Sequence, residues 1–222
     1  MNCCCLEATG KFFDKHARRS EKYFRKKGLR KEQRYLVEGI RQHFGEAGTI
    51  LEIGCGVGAL HLSLLQAGAT HATGYDVSEE MIVTAQRLAA ERQLADRARY
   101  VHGDFVEVHA GVVPADITIL DKVICCYENV HQLLMTSLAK TKRFYAVSYP
   151  RQSAWVRMMI KLYAAISRLM HAPFYPFYHD PRRVQAWIIE SGFSKVYEQH
   201  TWWWVVQVFG RTSAEAARPP LP

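Results

Sequence analysis

Three glycines at alternate positions, Gly54, Gly56 and Gly58, follow a short apolar run, Thr49-Ile50-Leu51-Glu52-Ile53, and precede a helical pattern that begins near Leu60. Strand, tight turn and helix in that order lay bare main chain against a ligand. The unpaired N–H groups of the helix's first turn suit an anionic group there. A second acid follows at a useful distance. His71-Ala72-Thr73-Gly74-Tyr75-Asp76 has the form of the next strand, and Asp76 lies 22 residues after Gly54. A carboxylate so placed can accept both hydroxyls of a ribose. Gly54-x-Gly56-x-x-Ala59 also satisfies the loose dinucleotide fingerprint, so these features alone admit a nicotinamide cofactor.

A wider constellation is more specific. Leu51 to Gly58, then Gly74-Tyr75-Asp76-Val77-Ser78-Glu79-Glu80-Met81-Ile82, then Val101-His102-Gly103-Asp104-Phe105 closely resemble the class I S-adenosylmethionine-dependent methyltransferases, in order and at normal spacing. The resemblance runs from about Lys31 to Arg211 and implies S-adenosyl-L-methionine as cofactor. By the same resemblance, Gly54, Cys55, Gly56 and Gly58 approach its methionyl and ribose parts, and Asp76 holds the ribose. Val77 and Met81 lie near the adenine. Gly103 turns the chain into Asp104, which accepts from the adenine amino group or caps a helix, and Phe105 offers its N–H or ring to the base. Glu52 orients the glycine loop, binds the ammonium through water, or pairs with a basic residue of the N-terminal segment. Asp121 sits under the sulfonium, and Lys122 begins the passage past the transferred methyl. Tyr23, on a helix preceding the first strand, touches the methionyl end or packs that helix onto the core.

Methyl transfer from a sulfonium is an in-line displacement in which alignment does most of the work. A base is needed only where the nucleophile carries a proton. The candidates are His131, His171 and His179, because imidazole titrates near neutrality. His179, between the aromatic segment Tyr175 to Tyr178 and the last helix, is the best placed, against the alternative of a structural, hydrogen-bonded histidine. Tyr127, Glu128 and His131 are the side chains nearest an acceptor. Cys125 and Cys126, with Cys3 to Cys5 folded over the pocket, offer a soft-metal site, but cysteine is also a common small core residue. The spacings match no zinc template, so no resident metal is expected.

These groups must be held by an α/β frame. The chain has 222 residues, 49% hydrophobic and 23% charged, enough for one domain with a sizeable core. Strand–helix alternation predicts a Rossmann-like, seven-stranded, mostly parallel sheet with helices on both faces and a terminal antiparallel hairpin, the ligand lying beyond the carboxyl ends of the strands. Residues 1–45 form a helical cap, irregular over 1–10 and broken near Ser20 and Gly28. Residues 46–211 form the methyltransferase domain, with 151–179 as a substrate cover built on a helix from Ser153 to Met170, and 212–222 a disordered tail.

Strands are expected at Ile50–Ile53, Ala72–Tyr75, Arg99–His102, Ala115–Val123 and Arg143–Ser148, and a hairpin at Lys195–Trp202 and Trp204–Phe209. The net charge of +8 collects before the glycine loop, from Lys11 to Arg41, as a solvated helix face or as a contact for nucleic acid or an anionic membrane. No secretory pattern opens the chain, so the cytoplasm is the default compartment.

The aromatic cover points to a small acceptor, apolar or carrying a soft nucleophile. Cys125-Cys126-Tyr127, Ser148-Tyr149-Pro150, Tyr178-His179 and Gly192-Phe193 are also similar to the magnesium-protoporphyrin methyltransferases, although a porphyrin is not adopted as acceptor. Two rivals stand: a nicotinamide-dependent oxidoreductase, which lacks a Tyr-x-x-x-Lys pair here, and a nucleic-acid methyltransferase using the basic segment, which lacks an Asn/Asp-Pro-Pro-Tyr tetrapeptide. Nothing in the sequence sets an oligomeric state.

Overall fold

Buried apolar runs and a C-terminal hairpin line up as one seven-stranded sheet in a computed structural model that describes residues 3–44, 48–172 and 174–212. The strands are β1 (Thr49–Ile53), β2 (His71–Asp76), β3 (Ala98–His102), β4 (Ala115–Asp121), β5 (Thr141–Pro150), β6 (Phe193–His200) and β7 (Trp204–Arg211). Their order is β3-β2-β1-β4-β5-β7-β6. The first five run parallel, and β7 is antiparallel to both β5 and β6, as expected from the pattern. The chain leaves β1 outward on one side and returns through β4 on the other. Their carboxyl ends therefore flank a crevice, where ligands bind in such sheets.

Side chains alternate across each strand, so one run feeds two cores. Ile50, Ile117, Ile119, Val206 and Val208 pack with α1 (Cys3–Lys27), α2 (Lys31–Phe44), α3 (Ala59–Gln66) and α4 (Glu79–Glu91). Leu51, Ile53, Leu120, Tyr145, Val147 and Phe209 pack with α5 (Phe105–Val108), α6 (Val130–Ala139) and α8 (Pro181–Glu190) on the opposite face. Helix α7 (Ala154–Leu169) lies outside both cores and buries Val156, Ala164 and Ser167.

Helix starts follow local chemistry. Ser78, Asp104, Asn129 and Asp180 accept from backbone N–H groups at the starts of α4, α5, α6 and α8, and Pro181 occupies the first turn of α8.

Several boundaries differ from expectation: β5 is longer by two residues at each end, and β6 starts and stops two residues early. Helix α1 is continuous from Cys3 through Ser20, because that stretch contains no proline and Gly10 stays helical; the break comes only at Gly28, whose φ is +67°. Strand β4 stops at Asp121, where Lys122 takes φ +63° and turns the chain. Thr212, assigned to the tail, donates its N–H to the Gly192 carbonyl at 3.0 Å, and residues 213–222 lie outside the described residues.

The basic N-terminal segment is docked rather than wholly solvated. Asp14 of α1 accepts from the Ser78 hydroxyl at 2.6 Å and the Glu80 N–H at 3.2 Å, so one helix helps cap another. Glu21 is held down to about 2 by hydrogen bonds from Arg87 and Arg25, and Glu91 pairs with both arginines. The tightest point is Gly10, where an added Cβ would stand 2.4 Å from the Val77 carbonyl oxygen. Gly10→Ala is therefore expected to lift α1 off this crossing. Amide exchange in α1 should quicken by about tenfold or more while the sheet stays protected; unchanged α1 protection would show that the crossing has slack.

Candidate active site

The site grows from the carboxyl ends of β1 and β4. At Gly54, φ is +67° and a Cβ would reach 2.4 Å from Val123 Cγ2, so only glycine lets the loop pass beneath the β4 turn. Gly56, at φ +53°, gives its N–H to Asp76 Oδ2 at 2.7 Å, and the Ser78 N–H donates to Asp76 Oδ1 at 2.9 Å. The Asp76 carboxylate is thus braced by main chain with lone pairs left for a ligand. Burial outweighs those two donors and pushes its pKa up to about 6.

Glu52 is buried at the end of β1 and does not pair with the N-terminal segment. Its Oε2 faces His61 Nδ1 at 2.6 Å, and His61 Nε2 lies 2.9 Å from the Tyr100 hydroxyl. Burial pushes the Tyr100 phenol well above its ordinary range, so it keeps its proton and donates to Nε2. Nδ1–H then donates to Glu52. Burial also raises Glu52. His61 is a site residue that the motif reading missed. Its signal was available: it is an ionisable side chain within a helix whose other core positions are four leucines and Ala59.

Asp104 accepts from the Val106 N–H at 3.0 Å and from the Tyr127 hydroxyl at 2.8 Å, capping α5 and anchoring the loop after β4 at once. Asp121 accepts from the Ser148 hydroxyl at 2.5 Å and from Gln33 Nε2 at 3.0 Å, while Gln33 Oε1 takes the Arg30 N–H at 3.0 Å. The elbow between α1 and α2 is thereby tied to the end of β4. Arg30 also stacks on Tyr23, 4.1 Å from the ring centroid. Lys122 Nζ lies between Glu32 at 3.5 Å and Asp121 at 3.7 Å.

These groups enclose a cavity of about 370 Å³. Tyr23, Glu52, Gly54, Cys55, Gly56, Asp76, Val77, Met81, Gly103, Asp104, Phe105, Asp121 and Lys122 all line it. Phe13, Phe24, Val123 and Leu133 add apolar wall. Gly58 is not on the wall: at φ +75° it starts α3 and backs onto the His61 ring, which a Cβ would meet at 3.0 Å.

The catalytic candidates fare differently. Tyr127 lines the cavity, but its proton is committed to Asp104, and burial with that bond raises the phenol far above its ordinary value. His131 is exposed on α6, edge-on to Trp187 at 4.9 Å, and does not line the cavity; helical phase turns it away. His179 Nε2 lies 2.8 Å from the Tyr127 carbonyl, so that nitrogen carries the hydrogen, and burial lowers the ring's pKa. It ties two loops together behind the wall. His171 is exposed after α7 at φ +52°. No described residue from 151–179 lines the cavity; Phe174 packs one layer behind its wall, stacked 4.9 Å from Phe12 and beside the lining residue Phe13.

Cys125 and Cys126 both point Sγ at the Lys122 carbonyl, 3.4 Å away, and their bond with burial holds the Cys126 thiol protonated. Among the described residues no three His, Cys, Asp or Glu side chains gather as a metal site, and the side chains of Cys3, Cys4 and Cys5 lie outside them. Among the same residues no helix is long and apolar enough to cross a membrane.

Four carboxylates face this cavity in a chain of net charge +8, against Lys122 and Arg30. That polarity complements a cationic ligand carrying hydroxyls. Comparison with known proteins agrees. Residues 50–146 match the family model of a methyltransferase domain. The chain is 30% identical over 135 residues to the ribosomal protein L11 methyltransferase of Dechloromonas aromatica, covering 56% of this chain and 45% of that protein. It is 34% identical over 99 residues to protein arginine N-methyltransferase 1 of Schizosaccharomyces pombe, covering 44% and 28%. It thus spans less than half the length of these relatives. In fold it is similar to the magnesium protoporphyrin IX methyltransferase of Synechocystis PCC 6803 crystallised with S-adenosylhomocysteine, with TM-score 0.65, 20% identity, and coverage of 81% of this chain and 83% of that one. Residues 50–146 thus carry a segment similar to a methyltransferase domain, set in a Rossmann-like methyltransferase fold.

Proposed function

We propose that the chain binds S-adenosyl-L-methionine in the cavity at the carboxyl ends of β1 and β4, and that it methylates a small acceptor, apolar or carrying a soft nucleophile. The observation that carries this reading is the set of acids around one cavity on a basic protein. The cavity fits the group: its size suits a nucleoside, its floor is bare main chain at Gly54 and Gly56, and Val77, Met81 and Phe105 supply an apolar flank for a base. When bound, the cofactor supplies an electrophilic methyl on a sulfonium.

The chain's own residues hold it. Asp76 takes the ribose hydroxyls, Asp104 the adenine amino group, and Asp121 with Glu52 the ammonium end. Carboxylates close to the sulfonium favour its charge electrostatically. Tyr23, Phe13 and Phe24 of the N-terminal cap close the methionyl side. The segment 151–179 braces that cap through Phe174 and serves as the outer cover.

The Tyr127 proton is held by Asp104, and His131 and His179 lie off the wall, so none of the three serves as base, and an acceptor that already carries a free lone pair needs none. The protein contributes alignment and exclusion of water. Tyr127 is then a positioning residue. Tyr127→Phe should weaken S-adenosylhomocysteine binding by about fivefold, about 1 kcal/mol, the net worth of a typical hydrogen bond. The pH profile of turnover at saturating cofactor should not move; a lost basic limb would make the phenol catalytic.

The names of the relatives differ in acceptor, so the shared segment speaks for the cofactor half. S-adenosylhomocysteine release measured across thiols, phenols, carboxylates and amines tests the acceptor class. Thermal shift with S-adenosylhomocysteine against NADH tests the cofactor. A shift with NADH alone would overturn the reading, and turnover confined to RNA or DNA would replace the small acceptor.

A further inference from the structure

Helix α7 presents to solvent the side chains a globular core normally takes. It buries only the slim stripe of Val156, Ala164 and Ser167. Its exposed stripe is Trp155, Met158, Leu162, Ile166 and Leu169, spaced by three or four residues so that they share one face. Leu162 is 48% exposed and Leu169 80%.

The patch continues past the helix. The Arg151 N–H donates to the Trp203 carbonyl at 2.9 Å, and its guanidinium to Thr201 at 3.3 Å. The β6–β7 turn is thereby held at the start of α7, and Trp202, 74% exposed, stands there beside Trp203. Charge completes the pattern. From Asn129 to His179 the sequence holds no Asp or Glu and seven Lys or Arg. Three of these, Arg157, Lys161 and Arg168, are exposed on α7 itself, on another side from the apolar stripe.

We propose that α7 and the β6–β7 turn dock onto an anionic lipid bilayer. The helix lies along the surface with its apolar stripe among the acyl chains, its cations at headgroup level, and the two tryptophans at the interface. An apolar face of large side chains, with a cationic flank and tryptophan at one end, is the composition of an interfacial helix. A second copy of the chain fits less well. Packing α7 against itself sets Arg157, Lys161 and Arg168 near their counterparts, with no carboxylate on 129–179 to pair them. The inference stands apart from the acceptor's identity.

The test is vesicle flotation of the full chain. Association with phosphatidylcholine vesicles carrying about one third phosphatidylglycerol should exceed that with pure phosphatidylcholine by about tenfold or more, and fall with salt. The double substitution Leu162→Glu with Ile166→Glu should abolish it and leave the S-adenosylhomocysteine thermal shift intact, since both side chains are exposed. Arg157→Glu with Lys161→Glu should remove the preference for anionic lipid. Failure of the wild-type chain to float at low salt would overturn the proposal. So would flotation that the apolar double variant retains. A dimer in analytical ultracentrifugation that the same variant dissociates, without vesicle binding, would give the face to a second copy instead.

Discussion

Asp76→Ala is expected to weaken S-adenosylhomocysteine binding by about a hundredfold, some 3 kcal/mol, because two ligand hydroxyls lose a charged acceptor. The same substitution strips the acceptor from the Gly56 and Ser78 N–H groups, which now brace the loop at 2.7 and 2.9 Å. Part of the loss is therefore loop disorder, and Asp76→Asn, which keeps one acceptor oxygen, should fall between.

The pH dependence is distinctive. Burial raises Asp76 from 3.8 to about 6, so the free fold holds the proton more tightly than the unfolded chain does. Such a raised acid contributes stability that is complete below its unfolded pKa and is lost as pH rises through the folded value. A ligand that donates two hydroxyls needs the ionised form, so affinity moves the other way. Between about pH 4 and 6, the contribution of Asp76 to the free protein's stability should fall as affinity rises. Calorimetry on wild type and variant reads both; equal affinities at neutral pH would remove Asp76 from the ligand.

The second large effect is on stability. His61→Ala should cost about 2–4 kcal/mol in urea unfolding, because it leaves a cavity beside Glu52 and strips that buried acid of its imidazole hydrogen bond. Both side chains are essentially without solvent access, and the 2.6 Å contact is the principal compensation that Glu52 has for burial. Adding Glu52→Gln to the variant should recover part of the loss, since an amide costs less to bury than a carboxylate. A loss below about 1 kcal/mol would mean that the carboxyl is already neutral and the pair contributes little. Because Glu52 also lines the cavity, the double variant should bind S-adenosylhomocysteine less well than wild type even where its stability recovers.

The glycine turn and the acids at fixed distances after it were legible because each is a local requirement. Positive φ at Gly54 and Gly56, a strand-end carboxylate and an N-cap at Ser78 are set by a few neighbouring residues. The sheet was legible for a related reason: buried parallel strands need continuous apolar runs, and a hairpin needs alternation. The same local logic overreached in α1. Residues 1–10 looked irregular and Ser20 looked like a break, yet contact with α4 and with Val77 makes helix the favoured state from Cys3 onward.

What the chain's order alone determined is the glycine turn and its acids: which backbone turns bare, and which carboxyls stand at the strand ends. What only the folded structure decided is how side chains far apart in sequence share partners. Tyr127 spends its proton on Asp104, Gln33 reaches across to Asp121, His61 sits behind Glu52, and His131 turns outward. Those facts depend on helix phase and on distances across the sheet. Neither residue type nor spacing encodes them, because a hydrogen bond is settled within a few tenths of an ångström, and only packing fixes positions that closely.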